Sequence, residues 1–227
     1  MNYLEENIKG ICEKFGLDFI DFMDDMDAEH VSELTVFDLE AIADEYATDL
    51  HALLFKRTFS RNHLTEKLAK IKLLILDVDG VMTDGGMYFT EKGEQIKKFN
   101  TKDGMAIIHL TKSDFQVAII SSGFQEEPVK TRAKMLGIQH CFVSREPKIN
   151  ILKGICEKNG ISLSEVAIIG DDINDLEVMK NVGVSFSPND AVDVVKQQVD
   201  VVLSKNGGEG CVRELIDLFI LNEPLNK

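Results

Sequence analysis

The sequence has no tryptophan, four prolines and four cysteines, and it has fewer basic than acidic residues. The cysteines lie far apart and form no C-x-x-C pair, which argues against a zinc site and predicts reduced, structural thiols. They are Cys12, Cys141, Cys156 and Cys211.

With 25 Lys and Arg against 39 Asp and Glu, the formal net charge is −14. Nucleic acid and anionic membranes both require basic surface, so neither is expected as a partner.

Long apolar runs are also missing. None approaches the roughly 18 to 20 residues of a membrane span. The amino-terminal segment is acidic and lacks the basic-then-apolar layout of a signal peptide. We therefore expect a cytoplasmic protein with no membrane partner.

The acidic residues are concentrated at one end. Residues 1–55 contain 15 Asp and Glu but two Lys, whereas the remainder is nearly neutral. This shift predicts a domain boundary near the basic stretch at residues 56–61. We expect an acidic helical accessory module at residues 1–64 and a second domain at residues 65–227, with 44% hydrophobic residues in the whole chain to supply the cores.

Apolar residues in the first segment recur at helical spacing. Thr35 is a predicted helix N-cap, and Asp38 follows three residues later to support it. One helix is predicted to carry the apolar stripe Leu39, Ile42, Tyr46, Leu50 and Leu53. The segment lacks a catalytic constellation, and its aspartates lack the spacing of a calcium loop. A role in oligomerisation, in binding a partner or in covering the second domain stays open.

From residue 71 onward, strand and helix patterns alternate. The predicted strands are 72–77, 116–121, 140–143, 166–170, 182–186 and 199–203. The predicted helices are 103–113, 126–136, 148–159, 174–180, 190–197 and 209–221. This alternation indicates an α/β fold, a Rossmann-like parallel sheet with helices on both faces. Residues 87–99 interrupt it and predict a projecting β-hairpin with a glycine in its turn.

Polar residues lie at the ends of three predicted strands and at the start of one predicted helix. Asp77 and Asp79 end the apolar run Leu73–Leu76, Ser121 and Ser122 end the second strand, and Lys148 opens a helix. A fourth group, Asp171, Asp172 and Asp175, follows the run at 166–169. Open α/β sheets place ligands at the carboxyl ends of their strands, so these groups should converge there. So many neighbouring carboxylates require a cation.

The order Asp-x-Asp-Gly-Val, apolar-Ser, Lys and Gly-Asp-Asp-x-x-Asp resembles the four motifs of the haloacid dehalogenase-like phosphatases. Within this superfamily, residues 70–221 resemble the capless sugar-phosphate phosphatases. The resemblance includes Asp77–Gly85, Phe99–Gly104 and Gly207–Glu214. It implies a Mg²⁺-dependent phosphatase of a sugar-acid phosphate, of the 3-deoxy-D-manno-octulosonate 8-phosphate type, and a place in lipopolysaccharide biosynthesis.

The resemblance also implies roles for individual residues. Asp77 would attack phosphorus and form an aspartyl phosphate, and Asp79 would act as general acid and base. Mg²⁺ would be bound by Asp77, Asp171 and the backbone carbonyl of Asp79. Ser121 and Lys148 would contact the phosphate, with Ser122 able to replace Ser121 and with Asp172 and Asp175 in support. The implied contacts to the sugar acid or to a neighbouring subunit are Asn100, Thr101, Lys102, Asp103, Gly104 and Arg132.

The gaps between Asp79, Ser121 and Lys148 are too short for a lid domain. In the capless family a homotetramer assembled around the hairpins closes the site, and we expect one here.

One departure from the family pattern concerns the substrate, since octulosonate phosphatases usually carry Thr-Gly-Arg where this chain has Ser121-Ser122-Gly123. A nonulosonate 9-phosphate is therefore an alternative substrate. A non-catalytic oligomeric scaffold or regulatory protein is the alternative of another class, and a phosphomutase is disfavoured because no cap excludes water.

Overall fold

The computed structural model describes residues 3–56, 61–113 and 115–221, with only the backbone at 61–63. Residues 57–60, within the predicted boundary stretch, lie outside these ranges. The chain divides into two compact units, Met1–Glu66 and Lys67–Lys227. That the first is an independent accessory module stays a prediction. None of the helices in the described ranges is long and apolar enough to cross a membrane.

The first unit is helical. Its helices are α1 (Tyr3–Phe15), α2 (Phe19–Asp25), α3 (Val36–Glu45), α4 (Leu50–Phe55) and α5 (Arg61–Leu68), the last of which crosses the division between the units. Ile8, Ile11 and Cys12 are buried together in its core, as their spacing predicts. Buried Asn7 donates from Nδ2 to the carbonyl oxygens of Leu53 (2.8 Å) and Lys56 (2.7 Å), so the end of α4 is satisfied by a side chain from α1.

The single helix predicted for the stripe from Leu39 to Leu53 is wrong. Thr35 and Asp38 form the predicted capping box at the start of α3, but α3 ends at Glu45 and α4 begins at Leu50. Ala47 between them has φ +47°, a left-handed conformation that ends a helix. The Asp49 carboxylate then caps α4 by accepting from the Ala52 N–H at 2.7 Å.

The second unit is built on a six-stranded parallel sheet in the order β5-β4-β1-β6-β7-β8. Its strands are β1 (Leu73–Leu76), β4 (Gln116–Ser121), β5 (His140–Val143), β6 (Val166–Ile169), β7 (Val184–Ser187) and β8 (Val201–Val202). Every residue of β1, β6 and β7 is buried, which requires cover on both faces of the sheet. The predicted α/β Rossmann-like fold is confirmed.

Helices alternate with these strands. They are α6 (Thr101–Thr111), α7 (Glu127–Met135), α8 (Lys148–Asn159), α9 (Leu176–Met179), α10 (Asp193–Gln198) and α11 (Cys211–Leu215), with α11 continuing through Ile216–Ile220. The predicted hairpin is present, formed by antiparallel β2 (Tyr88–Phe89) and β3 (Gln95–Ile96) between β1 and α6.

Candidate active site

The strand ends bring the predicted acidic residues together. Within the sheet, β1 lies between β4 and β6, and Leu76 is level with Ile169 of β6. Asp77 follows β1, and its N–H donates to the Ile169 carbonyl at 3.2 Å. Asp171 follows β6 by two residues, and Ser121 is the last residue of β4. Three neighbouring parallel strands therefore deliver these side chains to one edge.

Lys148 forms ion pairs with two of the carboxylates. As the first residue of α8, it places Nζ 2.9 Å from Asp77 Oδ1 and 2.7 Å from Asp175 Oδ1, and all three residues are buried. Burial alone disfavours the charged lysine, but the charges of Asp77 and Asp175 outweigh it and raise the pKa of Lys148. A positive charge thus lies beside Asp77.

Asp171 completes the acidic group, and a glycine makes room for it. Gly80 has φ +83°, and a Cβ there would lie 2.0 Å from Asp171 Oδ2. Burial first, and then the charge of Asp77, raise the pKa of Asp171 to about 8. Burial and the charge of Asp175 likewise raise the pKa of Asp77, against the opposing effect of Lys148. One cation is insufficient for these three acids.

The group fits a magnesium ion. One carboxylate oxygen from each of Asp77, Asp171 and Asp175 lies within 4.8 Å of the others. Asp77 and Asp175 each have Oδ1 beside Lys148, and buried Asp171 Oδ1 and Asp175 Oδ2 have no hydrogen-bond partner. Oxygen-only ligands with excess negative charge and an unpaired buried oxygen suit a hard divalent cation such as Mg²⁺. Asp77 and Asp171 are the predicted ligands, and Asp175 is a third side chain placed to bind the ion.

Asp79 has a partner that the sequence motifs did not predict. Its carboxylate forms an ion pair with Lys97, which follows β3 of the hairpin. The Lys97 side chain is 2% exposed, whereas that of Asp79 is 40% exposed. Lys97 and Lys98 lie beyond the end of β3, so strand alternation does not indicate which of the two points inward. Lys98 instead pairs with Asp84 at 3.0 Å.

A cavity of about 400 Å³ opens above these acids. The predicted residues that line it are Asp77, Asp79, Ser121, Ser122, Asp171 and Asp172. Its other lining residues include Phe124, Arg145 and Asn174, which are not among the predicted site residues. The volume is within the usual range for a small-molecule site.

Eight other predicted residues do not line this cavity. Lys148 and Asp175 are buried and paired with each other. The remaining six are Asn100, Thr101, Lys102, Asp103, Gly104 and Arg132. Arg132 donates to the Asn100 carbonyl (3.1 Å), and Asp103 accepts from the Arg213 N–H (2.7 Å). The Asn100 side chain caps α6 and donates to the Gly208 carbonyl (3.0 Å). These bonds hold the start of α6 in place, and a contact with substrate or a neighbouring subunit stays a prediction.

The glycine-rich stretch before α11 lies behind the loop that carries Asp79. A Cβ at Gly207 would lie 1.9 Å from the Gly80 carbonyl oxygen, and the Gly208 N–H donates to the Val81 carbonyl at 2.8 Å. Glycine is required here for close backbone packing. The contacts support the loop that positions Asp79 and Gly80.

Comparison with known proteins gives consistent matches. A haloacid dehalogenase-like hydrolase family model matches residues 142–215. The 3-deoxy-D-manno-octulosonate 8-phosphate phosphatase of Salmonella typhi is 40% identical over 159 residues, covering 70% of this chain and 84% of that protein. The Haemophilus influenzae protein of the same name is 38% identical over 158 residues, covering 69% and 87%.

A solved structure adds ligands to the comparison. The crystal structure of 3-deoxy-D-manno-octulosonate 8-phosphate phosphatase from Moraxella catarrhalis contains a magnesium ion, a phosphate ion and a KDO molecule. It matches with a TM-score of 0.68 and 34% identity, covering 72% of this chain and 94% of that one. The fold, the acidic strand ends and these similarities agree: the chain belongs to the haloacid dehalogenase-like hydrolases, in the family of the 3-deoxy-D-manno-octulosonate 8-phosphate phosphatases.

Proposed function

We propose that this protein is a Mg²⁺-dependent phosphatase that hydrolyses a phosphorylated sugar acid, 3-deoxy-D-manno-octulosonate 8-phosphate. The observation that carries the proposal is the buried group at the cavity floor, where Asp77 is paired with Lys148 and lies beside Asp171. A carboxylate next to a fixed cation and a divalent-ion site is the arrangement that phosphoryl transfer requires. The names of the relatives supply the substrate.

The reaction proceeds in two displacements. An Asp77 oxygen attacks phosphorus, the bond from phosphorus to the sugar oxygen breaks, and Asp79 gives its proton to the departing oxygen. Water then attacks the phosphorus of the aspartyl phosphate, and Asp79 takes the proton of that water. Inorganic phosphate leaves and the Asp77 carboxylate is restored.

Other residues hold the reacting groups in place. Lys148 fixes Asp77 and offsets negative charge, and Lys97 holds the Asp79 carboxylate at the cavity. Ser121 Oγ accepts from the Gly123 N–H at 3.1 Å, which leaves its own O–H to donate to the phosphate. Bound Mg²⁺ supplies further compensation of charge on the transferred phosphoryl group.

The test is release of inorganic phosphate from 3-deoxy-D-manno-octulosonate 8-phosphate, with a nonulosonate 9-phosphate as competitor. EDTA should abolish the reaction and added Mg²⁺ should restore it. Asp77→Asn should lower kcat by at least about 10³-fold, because it removes the nucleophile. Asp193→Asn, a matched change at an exposed aspartate of α10, should leave kcat unchanged.

The result that contradicts the proposal is activity that survives EDTA or Asp77→Asn. Preference for the nine-carbon substrate would change the substrate and leave the phosphatase intact. No turnover of any sugar phosphate would favour the non-catalytic scaffold.

We also propose a homotetramer, assembled through the hairpin. Met87, Tyr88, Phe89 and Ile96 are each about half exposed or more. An exposed apolar hairpin favours association because burying it removes apolar surface from water. Light scattering should give four times the mass of one chain, and Phe89→Ser should reduce it. A monomeric wild-type mass at micromolar concentration would contradict the tetramer.

A further inference from the structure

The cavity has an uneven distribution of charge. Its floor carries Asp77, Asp79 and Asp171. The cation beneath that floor, Lys148, is bound to Asp77 and Asp175. Among the described residues that line the cavity, Arg145 is the single basic side chain. Any second anionic group on a ligand would therefore find its counter-charge at Arg145.

Arg145 comes from a loop separate from the acids. It lies between β5 and α8, three residues before Lys148, and is exposed. Its guanidinium carbon lies 3.8 Å from the centroid of the Phe124 ring, which belongs to the loop after β4. The two side chains that form this stack thus come from loops after adjacent strands of the sheet.

The stack leaves the guanidinium able to bind a ligand. No carboxylate within the described ranges pairs with Arg145, and no hydrogen bond from it is found there. Contact with an aromatic face orients a guanidinium while its N–H groups point outward along the edge. Phe124 is 81% exposed with Arg145 stacked on it, so the pair stays accessible to a ligand in the cavity.

We propose that Arg145, oriented by Phe124, binds the carboxylate of the sugar-acid substrate while the phosphate lies at Asp77. This rests on the proposed function, since a sugar-acid phosphate carries an anionic group at each end. A carboxylate placed in a cavity floored by acids requires a cation, and a guanidinium fork binds a carboxylate through two parallel hydrogen bonds. The loop after β4 supplies no such cation, because Ser121, Ser122 and Gly123 are uncharged.

Arg145→Gln tests the proposal through substrate selectivity. With 3-deoxy-D-manno-octulosonate 8-phosphate, KM should rise about 10- to 100-fold, the value of a charge-assisted hydrogen-bonded pair, with little change in kcat. With p-nitrophenyl phosphate, which has no carboxylate, kcat/KM should stay within about twofold of wild type. Phe124→Leu should raise KM for the sugar acid by a smaller factor and also spare p-nitrophenyl phosphate.

Two controls separate the local contact from other effects. Lys158→Gln removes one positive charge from the last turn of the same helix that Arg145 precedes, and it should change neither substrate's KM. Arg145→Lys keeps the charge without the fork, and it should recover part of the lost affinity. Free 3-deoxy-D-manno-octulosonate, added against p-nitrophenyl phosphate, should inhibit wild type more strongly than Arg145→Gln.

The outcomes distinguish this inference from the proposed function. An unchanged KM in Arg145→Gln, or equal losses on both substrates, would overturn the role of Arg145 while leaving the phosphatase and its substrate intact. If wild type hydrolyses p-nitrophenyl phosphate but no sugar-acid phosphate, the substrate assignment and the role of Arg145 fail together, and Mg²⁺-dependent hydrolysis stands.

Discussion

Gly80→Ala should inactivate the enzyme while leaving it folded. Gly80 has φ +83°, and a Cβ at this position would lie 2.0 Å from Asp171 Oδ2. A non-bonded carbon and oxygen need more than about 3 Å, so the Asp171 carboxylate has to move by about 1 Å. Backbone strain from an alanine with positive φ adds about 1 kcal/mol to the cost.

The displacement of the Asp171 carboxylate should affect activity more than the backbone strain at residue 80 does. Mg²⁺ requires near-ideal octahedral geometry, so a carboxylate that moves by about 1 Å ceases to be a good ligand. A misplacement of this size costs on the order of 10²-fold in rate. We therefore expect kcat/KM to fall by about 100-fold or more, and the Mg²⁺ concentration for half-maximal activity to rise. The free energy of unfolding should fall by about 1–2 kcal/mol.

The assay is phosphate release over a range of Mg²⁺ concentrations, combined with urea denaturation of the same variant. Gly160→Ala is the matched control, since Gly160 has φ +66° at the end of α8 and a Cβ there has no neighbour within 4 Å. Gly160→Ala should lower the free energy of unfolding through backbone strain and keep full activity. Wild-type Mg²⁺ dependence in Gly80→Ala would refute the inferred crowding of Asp171 and its role as a ligand.

Three further changes test the surrounding groups. Asp175→Asn removes one of the two buried partners of Lys148, and it should cost about 3 kcal/mol in urea denaturation and lower kcat. Lys97→Met should lower kcat about 10- to 100-fold with unchanged Mg²⁺ dependence, because Asp79 loses the cation that positions it. Burial raises the pKa of Asp103 to about 6 in the folded protein, so its contribution to stability is full below about pH 4 and is lost as pH rises through 6. Relative to Asp103→Asn, wild type should lose about 2–3 kcal/mol between pH 4 and 7, and parallel pH curves would contradict this.

Much of the fold could be predicted because the apolar runs in the sequence coincide with the segments that the structure buries. The run Leu73–Leu76 is apolar throughout, and the structure buries all four residues in the centre of the sheet. The division between α3 and α4 could not be predicted by spacing, since apolar residues continue across it. No sequence pattern predicts the positive φ of Ala47. Asp49, however, is a residue type that favours the N-cap position it occupies before α4.

The site likewise contains some residues that the sequence predicts and others that it does not. Asp77, Ser121 and Asp171 follow strands, so topology alone brings them to one edge. Lys97 and Arg145 reach the site from the hairpin and from a loop, where the direction of a side chain depends on tertiary contacts rather than on period. The stack of Arg145 on Phe124 joins residues 21 positions apart in regions with no periodic pattern. No spacing rule in the sequence predicts such a contact.

Covalent capture of phosphate by Asp77 is the central claim, and mass spectrometry of acid-quenched enzyme tests it most directly. Wild type mixed with substrate and Mg²⁺ should gain the mass of one phosphoryl group on the peptide that contains Asp77, and Asp77→Asn should gain none. An adduct on a different residue, or rapid turnover with no adduct at any quench time, would contradict the account.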